Sequence, residues 1–225
     1  SSFLTLLFAV FIIASLLTKL WLDTRQARHV ARHRNTVPAA FAPHVPALSH
    51  QRAALYTLDK LRFGLVSTLL STVVLVGWTL LGGLDALNGV VRDAVLPAWG
   101  NLAYQLVLLA AFTLLGHFIE LPLEAWQTFR IEQKHGFNRM TWGMWVGDQF
   151  KQLLLGLLLG GPIAALILWL MGAAGTNWWL WAWGAWVAFS LLLMVIFPIF
   201  IAPLFNKFEP LKDQGLIERV NALTA

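Results

Sequence analysis

The sequence predicts an all-α integral membrane protein with five transmembrane helices and a helical hairpin protruding on the cytoplasmic side. Three observations carry that reading. Of 225 residues, 58% are hydrophobic and 12% charged, with mean hydropathy +0.68, whereas a soluble domain carries about a quarter charged residues. Charge-free stretches long enough to cross a hydrocarbon core recur along the chain. When those stretches are taken as alternating crossings, 15 of the 16 Lys and Arg residues fall on one side, as the bias of cytoplasmic loops toward basic residues requires.

A span needs about 20 apolar residues of helix. The first charge-free stretch runs from Phe3 to Thr18 and is prolonged by Leu20 and Leu22 around Lys19, whose long stem can reach the headgroups. The second runs from Phe63 to Leu84 and the third from Ala94 to Ile119, interrupted only by His117. Gln152 to Asn206 is then uncharged for 55 residues, which as one helix would measure about 80 Å. It must fold back once. Gly172-Ala-Ala-Gly-Thr-Asn177 is the natural hinge, and Trp178, Trp179, Trp181 and Trp183 beyond it suit an interfacial belt.

The segment from Lys19 to Arg62, read as a basic loop, carries eight basic and two acidic residues, and the turn from Asp85 to Asp93 one basic and two acidic. This places the N-terminus outside and the C-terminus in the cytoplasm. The pI of about 10.0 therefore reflects topology, and no nucleic-acid partner is expected; the bilayer is the first partner. The absence of cysteine excludes a disulfide framework, a Cys-based zinc site and a thiol nucleophile.

The histidines offer little metal chemistry. His29-Val-Ala-Arg-His33 places two imidazoles one helical turn apart, but a zincin helix needs Glu directly after the first His, and position 30 is Val. Arg25, Arg28, Arg32 and Arg34 oppose a dication there. His117-Phe-Ile-Glu120 also fails the motif and reads as a polar pair at the cytoplasmic end of the third span. Gly156 and Gly160 have the small-xxx-small spacing that lets helices approach closely, and Pro162, Pro198 and Pro203 are expected to shape their helices.

The most informative stretch extends from Trp126 to Thr141. Leu123, Trp126, Phe129 and Ile131 mark one side of a helix prolonged out of the third span, which Gly136 is placed to end. Thr141 can cap the following helix. The run Phe129-x-Ile-Glu132-x-Lys-His135-Gly136-Phe137-Asn138-Arg-x-Thr141, with Asp148 and Lys151, and the later Ile201-Ala-Pro203-Leu204-Phe205-Asn206-Lys207-Phe208-Glu-Pro210-Leu211 closely resemble two signatures of the CAAX prenyl protease 1 family. The resemblance covers the chain from about Trp126 onward, and the earlier part agrees in the order of its spans.

The resemblance implies an integral-membrane zinc metalloendopeptidase of bacterial type, in the inner membrane, whose helices enclose a chamber that houses or admits substrate. It implies zinc for the full-length enzyme, a peptide or protein substrate, and the chain's own C-terminal catalytic domain as partner. The family's H-E-x-x-H does not occur in this sequence, so no catalytic or metal-binding residue carries over and no cofactor is expected in this part. Leu216, Ile217, Val220 and Leu223 recur at helical spacing with no partner downstream. Residues 1–205 accordingly read as the N-terminal membrane domain and 206–225 as the start of a cytoplasmic catalytic domain. Asn138, Asn206, Phe137, Phe205 and Phe208 are expected to join the two signatures as a collar that docks that domain. The alternatives are a non-catalytic membrane scaffold and a transporter-like subunit; the latter calls for ionisable residues inside the spans, which are nearly absent.

The topology is directly measurable. Single cysteines at Ala86 and Ala174 should react with an impermeant thiol reagent from outside intact cells, and one at Ala31 should not; labelling at position 31 would reverse the orientation.

Overall fold

A computed structural model describes residues 2–205 together with the isolated positions Gly215, Arg219, Ala222 and Leu223. Its elements are helices: α1 (Ser2–His33), α2 (Ala47–Thr79), α3 (Gly83–Trp126), α4 (Trp142–Leu155), α5 (Gly161–Ala173), α6 (Trp178–Ile196) and α7 (Ala202–Phe205). Five helical stretches are long and apolar enough to cross a membrane: Ser2–His33, Ala47–Thr79, Gly83–Glu132, Trp142–Ala173 and Gly175–Phe205. Large apolar side chains such as Phe3, Val73 and Met194 are 66–75% exposed, an arrangement that suits lipid and not water as the surrounding solvent.

The chain forms two compact units, Ser1–Thr141 and Trp142–Ala225. In the first, α1 packs on α2 and α2 on α3. His50 Nε2 lies 3.1 Å from the carbonyl of His33, while Phe11 and Leu75 line one cavity further along the same pair, so α1 and α2 run antiparallel. Two expectations need correction here. The region from Lys19 to Arg62 is not one loop: α1 continues as helix to His33 and α2 begins at Ala47, leaving only residues 34–46 between them. Leu55, Leu58 and Leu61 follow helical spacing, and burial of Ala54 and Leu58 stabilises that extension.

The segment from Asp85 to Asp93 is likewise helical, not a turn. Gly82, in the left-handed region (φ 79°), directly precedes α3, Asp85 sits favourably in its first turn, and Val91 is buried. The break comes later, at Gly100, whose φ of 77° and ψ of −178° divide α3. Tyr104 donates a hydrogen bond to Asn88 Oδ1 across that break, and Trp78 packs edge-on to Phe112 at 5.1 Å between α2 and α3.

In the second unit the uncharged stretch folds back at the expected hinge, where Gly175–Asn177 forms a short 3-10 turn and Gly175 has φ 62°. α5 and α6 pack on each other. Wide π-type turns interrupt the spans at Gly156–Gly160 and Phe197–Ile201. The first lies just before Pro162 and the second contains Pro198. Proline has no N–H for the regular ladder, and a wider turn re-pairs the carbonyls it leaves. Among the described residues no group comes within 4 Å of a Cβ placed on Gly156 or Gly160.

The break in α3 rests on backbone alone, because a Cβ at Gly100 meets nothing within 4 Å. Its dihedral region is open essentially to glycine only. Gly100→Ala should lower stability by about 1–3 kcal/mol, read as an earlier unfolding midpoint in detergent, while Gly116→Ala, in ordinary helix, should not.

Candidate functional site

The first signature becomes a defined object at the end of α3. After α3 a wide turn, Gln127–Glu132, continues the helix, and the chain then stops through a left-handed glycine, Gly136 at φ 79°. Phe137 N–H donates to the Glu132 carbonyl at 2.9 Å and Gly136 N–H to the Gln133 carbonyl at 3.1 Å. These are the two bonds of a Schellman stop, so the spacing from Glu132 to Gly136 and Phe137 is the geometry of a helix C-cap.

The side chains of this cap reach α2. Tyr56 donates its hydroxyl to both Glu132 carboxylate oxygens, at 2.7 and 2.9 Å. Asp59 Oδ2 accepts from Lys134 Nζ at 2.7 Å and from His135 Nε2 at 2.9 Å. The Tyr56 ring packs between signature rings, 5.1 Å from His135 and 4.8 Å from Phe137. Tyr56 and Asp59 lie one turn apart on α2, ahead of the apolar stretch that begins at Phe63. Buried Leu58 and Ile131 bring apolar area to the same two elements.

Exposure decides which contacts matter. The Lys134 side chain is 65% exposed, so solvent screens its pairing, whereas those of Asp59 and His135 are 19% and 12% exposed and are shielded from competing water. The Lys134 hydrogen bond first, and that of His135 second, hold the Asp59 carboxyl below its ordinary pKa. Hydrogen bonding to the Glu132 carboxylate, together with burial, raises that of Tyr56. Beside the cluster a cavity of about 630 Å³ is lined by Trp126, Phe129, Arg130 and Lys134 among others.

The remaining signature residues divide. Asn138 Oδ1 accepts the Met140 N–H at 2.6 Å, a local turn that engages the oxygen expected to serve a collar. Thr141 directly precedes α4. In the second unit Asp148 and Lys151 pair at 3.0 Å one turn apart, and Lys151 Nζ also donates to the Leu204 carbonyl at 3.1 Å and stands 5.5 Å above the Phe205 ring. That ties the start of the second signature, Pro203-Leu204-Phe205, to α4. Asn206, Lys207, Phe208, Pro210 and Leu211 lie outside the described residues.

The histidines set aside in the sequence find other surroundings. His29 and His33 belong to α1 and not to a loop, with rings 4.3 Å apart and His33 Nδ1 2.9 Å from the His29 carbonyl. His117 forms no polar pair with Glu120; its buried Nε2 has no hydrogen-bond partner among the described residues. Nor do the described residues bring together three His, Asp or Glu able to hold a metal ion. Among the described residues His135 is turned toward the Asp59 carboxylate, which Lys134 also holds. Tyr56 and Asp59 are the residues that sequence reasoning missed. The available signal was an acid three residues after a tyrosine, in helical register with Leu55, Leu58 and Leu61, inside a segment of eight basic and two acidic residues.

These features define a multi-pass helical membrane domain whose first-signature side chains are bound to α2. Residues 26–207 match the family described as CAAX prenyl protease N-terminal, five membrane helices, and the chain belongs to that family. It is similar to the CAAX prenyl protease 1 homolog of Oryza sativa subsp. japonica, 33% identical over 219 residues that cover 96% of this chain and 51% of the relative. The Homo sapiens homolog is 30% identical over 209 residues, covering 88% of this chain and 43% of its own length. Among solved structures, the crystal structure of S. mikatae Ste24p superposes with TM-score 0.87 at 25% identity, over 97% of this chain and 51% of that one. The chain spans about half the length of the relatives it matches.

The cluster sets a pH window. Asp59, depressed in the fold, contributes stability above its unfolded value of about 3.9 and loses it as pH falls through the lower folded value. Tyr56, raised in the fold, contributes below about 10 and loses its share as pH climbs through the raised value. Asp59→Ala should cost about 1–2 kcal/mol near neutrality and Tyr56→Phe about 1 kcal/mol. Unfolding midpoints measured across pH should show the Asp59→Ala penalty vanish in acid.

Proposed function

We propose that this chain is the membrane part of a zinc-dependent endopeptidase that cleaves peptide or protein substrates, and that its helices form the chamber that houses or admits them. Zinc and the catalytic groups belong, in this reading, to a cytoplasmic domain outside the present sequence, which residues 206–225 begin. The orientation is N-terminus outside and C-terminus in the cytoplasm of a bacterial inner membrane, supported by the basic residues on one side.

One observation supports this division of labour above the others. Glu132, His135 and Lys134, the signature groups best suited to chemistry, are spent on Tyr56 and Asp59 in a helix stop. Groups so engaged position a surface and leave bond cleavage to other residues. The signature residues Glu132 to Thr141, Asp148, Lys151 and Pro203 to Leu211 then act by holding helix ends at the level where the catalytic domain docks.

The test uses the full-length protein. Asp59→Asn and Asn138→Ala should lower proteolysis of a reporter peptide or lower thermal stability, with one zinc per chain retained by metal analysis. Loss of zinc in step with activity would place the cluster in the metal site, and unchanged activity and stability in both variants would remove its docking role.

A further inference from the structure

The cavity between α1 and α2, about 510 Å³, has a lining ordered by depth. Because the helices are antiparallel, its residues fall into levels. By the antiparallel run of the two helices, Lys19 of α1 ranks with Ser67 and Thr68 of α2, Ser15 with Ser71 and Thr72, and Phe11 and Ile12 with Leu75, all of them residues that line the cavity. The eight residue steps from Lys19 to Phe11 rise about 12 Å. The groove thus passes from cationic, through hydroxyl-lined, to apolar.

Its polar groups are mostly uncommitted. Several hydroxyls elsewhere in the spans bond the carbonyl four residues back, among them Thr18, Thr79, Thr113 and Ser190 at 2.6–2.9 Å. In the groove only Thr72 does so, to the Thr68 carbonyl at 2.8 Å. The side-chain hydroxyls of Ser15, Ser67, Thr68 and Ser71 make no hydrogen bond among the described residues, and Lys19 makes no ion pair, not even with Asp23 one turn away. Unpaired donors at the membrane boundary are costly, and this set is rich in donors with no negative charge of its own.

We propose that the α1–α2 groove holds one phospholipid, its phosphate on Lys19 with Ser67 and Thr68, its glycerol ester oxygens at Ser15 and Ser71, and its acyl chain along Phe11, Ile12 and Leu75. A phospholipid presents the complementary sequence of anion, acceptors and hydrocarbon over the same depth. The single uncompensated ammonium favours a lipid of net negative charge. This site depends only on the α1–α2 pairing and not on the proteolytic reading.

The test measures lipid retained by the purified chain, by native mass spectrometry, after titration with phosphatidylglycerol or phosphatidylcholine. Lys19→Gln should cut retained phosphatidylglycerol about fivefold, the contribution of one basic residue at an anionic surface, and Lys19→Arg should restore it, which also controls for folding. Ser67→Ala with Ser71→Ala should weaken both lipids alike, whereas Arg52→Gln, an exposed charge away from the groove, should change neither. Retention unaffected by Lys19→Gln, or reduced equally by Arg52→Gln, overturns the proposal. Displacement of the lipid by excess inorganic phosphate would reveal a site for a free anion and overturn it as well.

Discussion

A peptide N–H or C=O that enters hydrocarbon unpaired costs several kcal/mol, and the departures from regular helix in this chain answer to that cost. Each span pairs its backbone within itself. Beside Pro162 and at Pro198 the ladder widens, while Pro97 and Pro122 are held inside α3. Where the direction must change, glycine takes a left-handed φ at Gly82, Gly136 and Gly175, and the turns lie at helix ends. Gly100 departs from this pattern as a break inside α3, and there the Tyr104–Asn88 hydrogen bond ties one side of the break to the other.

Since lipid offers no hydrophobic force between apolar helices, specific polar contacts at the helix ends carry much of the burden of fixing neighbours. The Tyr56–Glu132 and Asp59–His135 contacts meet that need. They lie beyond the apolar part of α2 and at the C-cap of the α3 extension, and each joins groups about 76 residues apart in sequence. Glu132 serves both levels at once, through its carbonyl in the helix stop and its carboxylate on α2. Lys151 has a similar double role in the second unit, paired with Asp148 on its own helix and bonded to Leu204 at the end of the next span. The described signature residues Glu132, His135 and Lys151 therefore lie near helix ends and are tied to other helices.

Hydroxyl placement follows the same logic from the opposite direction. Several Ser and Thr residues in the spans close on their own helix, the low-cost solution in lipid. In the α1–α2 groove Thr72 does so, while the side chains of Ser15, Ser67, Thr68, Ser71 and Lys19 have no partner among the described residues.

The number of spans, the hinge near Gly175 and the stop at Gly136 were legible in the sequence, because each depends on local preference: apolar run length against bilayer thickness, a glycine cluster, a left-handed cap. The basic region before Phe63 was misread as loop, since charge count reports which side of the membrane a segment occupies and not whether it is helical. Residues 85–93 were misread for the same reason. What only the tertiary structure decided was partnership: that Tyr56 and Asp59 meet Glu132 and His135, and that Lys19 stands level with Ser67. Such pairings depend on the antiparallel register and rotation of neighbouring helices. Periodicity within one helix carries no information about either, because both are set by packing against another segment.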